Sequence, residues 1–242
     1  MDTNLKNIKG VIFDYGGTID TNSVHWAEVL WSAYEKSEVP VTKEQFREAY
    51  VYGERTLAKF PLVKPCDNFL QVLRIKLHVE IARLVELKYL NADAAQQNVY
   101  AENIANICYN HVLDVLKVTR SVVDQLSKKY KLVLVSNFYG NVETVLKDFG
   151  LYDYFSEIVE SSVVGVRKPD PAIYKLGVDA MGDAANQIMV IGDSYGKDMV
   201  PAKKVGCITT WLSGPAWAPE EIDEANIDIT IHSLDEILEY LL

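Results

Sequence analysis

Three short apolar runs in this chain each stop abruptly on polar residues. Ile8 to Phe13 (IKGVIF) stops at Asp14-Tyr15-Gly16-Gly17, Lys131 to Val135 (KLVLV) at Ser136-Asn137, and Ile188 to Ile191 at Gly192-Asp193. An unalternating apolar run ended by turn formers is the pattern of a strand buried on both faces. Helical stretches lie between and after these runs. Asn141 to Phe149 is closed by Gly150, and Pro171 to Met181 has Pro in its first turn and Gly182 after its end. Shorter strands are predicted at Glu157 to Glu160 and Cys207 to Trp211. Helices are predicted at Lys197 to Val205 and from a Ser233 cap to Leu242. Strands alternating with helices predict an α/β fold, a Rossmann-like doubly wound parallel sheet.

One stretch breaks that rhythm. Residues 22–117 carry almost no strand signal. Thr42 and Gln45 have the spacing of a capping box, and Pro61 and Pro65 bracket a break. Phe69 to Leu90 is ambiguous in part, because Arg74 to Ile81 alternates polar and apolar as a strand would. Its length without Gly or Pro, and its Arg, Lys, Leu and Glu content, favour helix. A further helix is expected over Ala92 to Leu116. The expected organisation is a core of residues 1–20 and 118–242 with an all-helical cap of residues 21–117 inserted after the first strand. The hinges would fall near 19–23 and 112–118.

The balance of charge narrows the partners. With 24 basic and 34 acidic residues the chain carries −10, which disfavours nucleic acid and anionic membranes. No apolar run approaches the roughly 18 residues of a membrane span, and the first ten residues lack the apolar stretch of a signal peptide. Cys66, Cys108 and Cys207 are odd in number and widely spaced, fitting neither a disulfide framework nor a zinc site. The expected compartment is the cytoplasm.

Open parallel sheets bind ligands beyond the carboxyl ends of their strands. There the sequence puts Asp14, with Thr18 and Asp20 close behind; Ser136 and Asn137; and Asp193, Ser194 and Asp198. Lys168 lies in the loop before a helix. An Asp after a strand is often only a turn former or cap. Several carboxylates on one rim, however, repel one another unless a cation neutralises them. Mg²⁺ suits such a site, taking one or two carboxylates plus a phosphate oxygen.

These segments, VIFDYGGTID at 11–20, KLVLVSN at 131–137, GVRKPDPAIY at 165–174 and VIGDSYGKDMVPAKKVG at 190–206, resemble the four ordered motifs of the haloacid dehalogenase superfamily. The likeness is greatest to phosphatase members with a helical cap. It implies that Asp14 is the nucleophile, forming an aspartyl-phosphate, and that Ser136 and Asn137 bind phosphoryl oxygens. It implies that Lys168 steadies Asp14, and that Asp14, Asp193 and the Gly16 carbonyl hold Mg²⁺. Thr18 and Asp198 would support the site, Asp198 through a water on the metal or as a partner for Lys168. The substrate would be a small phosphorylated metabolite.

The resemblance has one departure. The family usually places a second Asp where Gly16 stands, and that side chain protonates the leaving group. A good leaving group, a water or a cap residue could stand in, with His25 the candidate because imidazole titrates near neutrality. Trp26, Arg55, Lys59 and Lys64 are candidates for substrate choice. Two other readings stay open: a non-catalytic phosphate- or partner-binding protein, and a metal-independent 2-haloacid dehalogenase. Oligomeric state is not legible.

Overall fold

The computed structural model describes residues 5–215 and 221–242. Residues 1–4 of the N-terminal stretch read above lie outside the described part. Six parallel strands form one sheet: β1 (Gly10–Phe13), β2 (Lys131–Ser136), β3 (Glu157–Glu160), β4 (Ile188–Gly192), β5 (Ile208–Leu212) and β6 (Ile229–Ile231), in the order β3-β2-β1-β4-β5-β6. The helices are α1 (Trp26–Lys36), α2 (Lys43–Lys59), α3 (Phe69–Glu86), α4 (Ala94–Ser127), α5 (Val142–Asp148), α6 (Ser161–Val164), α7 (Pro171–Met181), α8 (Val200–Val205) and α9 (Ile237–Leu241). The α/β class holds, and α1 to α4 are inserted between β1 and β2.

Both sheet faces are dry, which explains the unalternating runs. Ile12, Val133, Val135 and Val190 pack with Ile173, Tyr174 and Val178 of α7. Phe13, Leu132, Leu134 and Ile191 face the opposite way, toward Val122, Val123 and Leu126 of α4. That second cluster continues into the inserted helices. Tyr15 meets Phe69 edge-on at 6.3 Å, and Phe69 reaches Phe149 at 5.6 Å.

The expected capping box is present: Thr42 Oγ1 accepts from the Gln45 amide at 3.3 Å and Gln45 Oε1 accepts from the Thr42 amide at 2.9 Å. The ambiguous stretch is helix, because the buried residues of α3 (Phe69, Val72, Leu73, Lys76, Leu77, Glu80, Ile81, Leu84) recur every three or four positions. Its alternation was local.

Some elements differ from expectation. The helix expected to stop at Leu116 runs on to Ser127, so α4 is one 34-residue helix that spans 112–118 without a break. Val112, Leu116, Thr119, Val122, Val123 and Leu126 are all buried, and this continuous apolar stripe carries the helix through. The expected helix from Lys197 begins instead as a π turn, Tyr195–Met199, before α8. The final helix is a 3₁₀ turn followed by α9, and the Ser233 hydroxyl bonds Asp235 instead of capping it.

Candidate active site

The chain runs from β1 outward to β2 and β3, and later from β4 outward to β5 and β6, so the strand order reverses beside β1. A crevice opens at such a point beyond the strand ends. The register pairs Phe13 with Leu134 on one side and Ile191 on the other, and the Asp14 amide donates to the Ile191 carbonyl at 2.9 Å. Asp14 therefore leaves the sheet beside the start of the Asp193 loop.

Lys168 is the hub of the site. Its ammonium is hydrogen-bonded to Asp14 Oδ1 and lies 2.7 Å from Asp198 Oδ1. Asp14, Lys168 and Asp198 are all buried. The Asn137 side chain clamps the Lys168 backbone twice: Oδ1 accepts its N–H at 2.9 Å and Nδ2 donates to its carbonyl at 3.1 Å. Asn137 is thus committed to placing Lys168. Thr18 Oγ1 donates to Asp14 Oδ2 at 3.2 Å.

Asp198 is fully occupied. Oδ1 accepts from Lys168 and from the Tyr174 hydroxyl, each at 2.7 Å, and Oδ2 accepts from the Ser194 amide at 3.0 Å. The π turn brings its carboxylate back over Ser194; such turns recur at functional sites. Asp193 differs. It has no ion-pair partner among the described residues, although its backbone carbonyl accepts from Trp211 Nε1 at 2.8 Å. Gly17, at φ +98°, lets the loop pass close to it; a Cβ there would stand 2.2 Å from Asp193 Oδ2.

Oxygens of Asp14, Asp193 and Asp198 lie within 4.8 Å of one another. Burial pushes Asp14 up to about 6 against the pull of Lys168, with Asp198 adding to the rise. Burial and then the charges of Asp14 and Asp198 hold Asp193 well above the usual carboxylate range. Burial would lower Lys168, but the two carboxylates outweigh it and raise it. One ammonium thus faces three carboxylates, and Asp193 is the one left over. Hard oxygen donors in excess of protein cations are a fit for a divalent ion such as Mg²⁺.

The crevice is the floor of a cavity of about 1270 Å³. Asp14, Gly16, Asn137, Lys168, Asp193 and Asp198 line it, as do Trp26, Arg55 and Lys59 from the inserted helices. Ser136 and Thr18 are buried and off its wall, and Lys64 is also off it. Gly16 opens onto free space, with nothing within 4 Å of where its Cβ would be. His25 reaches the wall too, but burial and then Lys197 lower it to about 4, and its Nδ1 accepts from the Ala27 amide at 3.1 Å as the cap of α1. Both causes disfavour the charged imidazole, and with it a His25 that donates a proton near neutrality.

Asp20, at the end of the first motif, and Glu54, Lys76 and Tyr139, which belong to no motif, also line the cavity. Asp20 ties Gly17 to the first inserted helix, accepting from the Gly17 amide at 2.7 Å and from Trp26 Nε1 at 2.9 Å. Lys76 and Glu80 were detectable: they stand four residues apart on the stripe of Phe69, Val72, Leu73, Leu77, Ile81 and Leu84 that a helix would bury.

A parallel sheet with acids at its switch point and helices inserted after β1 is the fold of the haloacid dehalogenase-like hydrolases. The model of that family matches residues 8–206, and the chain belongs to it. Among curated relatives, glyceraldehyde 3-phosphate phosphatase of Methanocaldococcus jannaschii is 33% identical over 90 residues, covering 37% of this chain and 39% of that protein. Phosphoglycolate phosphatase of Escherichia coli is 24% identical over 97% of this chain and 92% of that protein. The chain spans half or less of the length of the first curated relatives it matches. Among solved structures, the HAD-hydrolase YfnB of Bacillus subtilis, bound to magnesium, superposes with a TM-score of 0.59 at 18% identity, covering 97% of this chain and 98% of that one. That likeness concerns the fold.

Proposed function

We propose that the protein is a Mg²⁺-dependent phosphatase of small phosphorylated metabolites, working through an aspartyl-phosphate on Asp14. The observation that carries this reading is Asp14 itself: a buried carboxylate at the switch point, fixed between Lys168 and Thr18, beside an Asp193 that lacks a cation. The relatives named as phosphatases support the same chemistry.

In this reading the Asp14 carboxylate attacks phosphorus, and the bond from phosphorus to the leaving oxygen breaks. Water then attacks the same phosphorus and regenerates Asp14, releasing phosphate. Splitting one displacement into two is the gain from a covalent intermediate. Lys168 holds Asp14 ionised and offsets charge on the phosphoryl oxygens, and Asn137 and Asp198 hold Lys168. Asp14, Asp193 and the Gly16 carbonyl would hold the ion, with Asp198 kept from it by its three donors. When bound, Mg²⁺ neutralises the repulsion between carboxylate and phosphate. The leaving oxygen takes its proton from water, since Gly16 has no side chain and burial disfavours a charged His25.

The test is phosphate release from an aryl phosphate with Mg²⁺ and with chelator, in the natural protein and in Asp14→Asn. Metal-dependent release that disappears in the variant is expected. Mg²⁺ binding without turnover on any phosphate would favour a binding protein. Turnover of a chlorinated acid in chelator would favour a dehalogenase.

A further inference from the structure

The far side of the cavity holds a second polar cluster. Glu54 of α2 is hydrogen-bonded to the ammonium of Lys76 of α3, and the Tyr139 hydroxyl, in the loop after β2, lies beside it and is raised by its charge after burial. The Lys76 ammonium sits 4.7 Å over the Tyr50 ring. The Lys76 side chain is 7% exposed and that of Glu54 is 38% exposed, so the carboxylate is the more accessible charge of the pair, although Lys76, Tyr50 and Tyr139 line the cavity too. Among the described residues, Glu54 is the only acid that α1 to α4 contribute to the wall.

Such a group reads hydrogen-bond donors. The donor it calls for is neutral, because Lys76 already balances its charge and Lys197 adds a further positive field at Glu54. An ammonium on the ligand would be repelled by both. Around Glu54 the wall is aromatic, with Trp26, Tyr50, Phe69, Phe138 and Tyr139. Aromatic faces beside an acceptor suit a ligand with C–H faces and hydroxyl edges. Size points the same way. The 1270 Å³ exceeds the roughly 300–1,000 Å³ typical of small-molecule pockets, far more than a two- or three-carbon phospho-acid fills.

We propose that Glu54, positioned by Lys76 and Tyr139, accepts a hydrogen bond from a hydroxyl of the leaving group, and that the substrate is a phosphorylated sugar or similar polyhydroxylated compound. This rests on the phosphatase reading of the floor. It makes Glu54 a specificity residue and Lys76 and Tyr139 positioning residues.

The experiment is a steady-state comparison with Mg²⁺ of hexose and pentose phosphates, phosphoglycolate, glyceraldehyde 3-phosphate and an aryl phosphate. The sugar phosphates are expected to give kcat/KM at least about tenfold above the short compounds, the scale of one hydrogen bond to a charged group. In Glu54→Gln the KM for the best sugar phosphate should rise at least about tenfold more than the KM for the aryl phosphate. Because that variant leaves Lys76 buried without its partner, its thermal unfolding is measured alongside. The paired change Glu54→Met with Lys76→Met removes both charges and should show the same loss of preference. A natural protein that turns over the aryl phosphate but prefers the short acids, or a Glu54→Gln that slows all substrates equally, overturns the inference and leaves the phosphatase reading standing. No turnover of any phosphate defeats that reading, and this one with it.

Discussion

At the floor of the cavity one ammonium, Lys168, is divided between two carboxylates, and a third, Asp193, has no ion-pair partner among the described residues. At the roof the proportions invert. On the wall there, one carboxylate, Glu54, is paired with Lys76, with Lys197 and Arg55 also lining it, while Glu80, the second acid near Lys76, is buried behind the wall. The floor is short of positive charge and the roof is not. A deficit of cations is where an ion and an electron-poor phosphorus gain most. A balanced cluster has little left to offer except hydrogen bonds, which discriminate between ligands without driving bond cleavage. The two ends can therefore be separated by experiment.

The largest effect is expected at the floor. Lys168→Gln should lower kcat by about 10²–10³-fold, the scale of losing one preorganised charge partner, and by the same factor on every phosphate. A loss that varied from substrate to substrate would mean that Lys168 takes part in selection, and would erase the division between floor and roof. Next comes Gly16→Asp. Its Cβ enters open space, so the fold should tolerate it. A carboxyl acid there should recover part of the roughly 10²–10⁴-fold that general acid catalysis supplies, more on alkyl than on aryl phosphates. Equal gains on both would show that leaving-group protonation is not limiting.

A third prediction concerns stability at the roof. Burial pushes Glu80 up to about 7 against the opposing charge of Lys76; Glu54 raises it further and the Tyr34 hydroxyl bonds it at 3.3 Å. A carboxyl whose folded value lies above its unfolded one stabilises below the unfolded value, and that stability is lost as pH rises through the folded one. The melting temperature should therefore fall between about pH 4.5 and 7, with a Glu80 share equivalent to on the order of 3 kcal/mol at most beside the shares of Asp14 and Asp20, which burial also raises. Glu80→Gln should flatten that slope, and a variant with the slope intact would show that other groups produce it. The smallest effect is at His25. His25→Ala should cost about 1 kcal/mol through the lost helix cap. It should remove no limb of the pH–rate profile between about pH 5 and 8, because His25 titrates near 4. A limb that vanished would return His25 to the chemistry.

The floor was legible in the sequence and the roof was not, for a physical reason. Asp14 and Asp193 follow buried strands directly, and a parallel sheet delivers such residues to one edge whatever the helices do. Lys168 could be placed only through its motif, and its clamp by Asn137 could not be read from spacing. Glu54, Lys76 and Tyr139 lie on two helices and a loop, and only the packing of α2 on α3 beside the loop after β2 brings them together. On its own turn Glu54 looks like any solvated acid. The uninterrupted α4 was hidden for a similar reason: one face carries Asp114 and Lys117, and only the buried face opposite stays apolar throughout.

That rod sets how the inserted helices are joined to the sheet. The chain crosses between sheet and inserted helices twice. The first crossing contains Asn22 and Ser23, both at positive φ, and is moored by Asn22 to Leu234 at 2.8 Å. The second is the middle of α4, and the Thr119 hydroxyl pins it to the Ile19 carbonyl at 2.9 Å. A lid carried on a loose pair of tethers swings freely. Were the inserted helices to act as a lid, a pinned beam would let them tilt only as far as α4 bends, and admitting a ligand would load that helix.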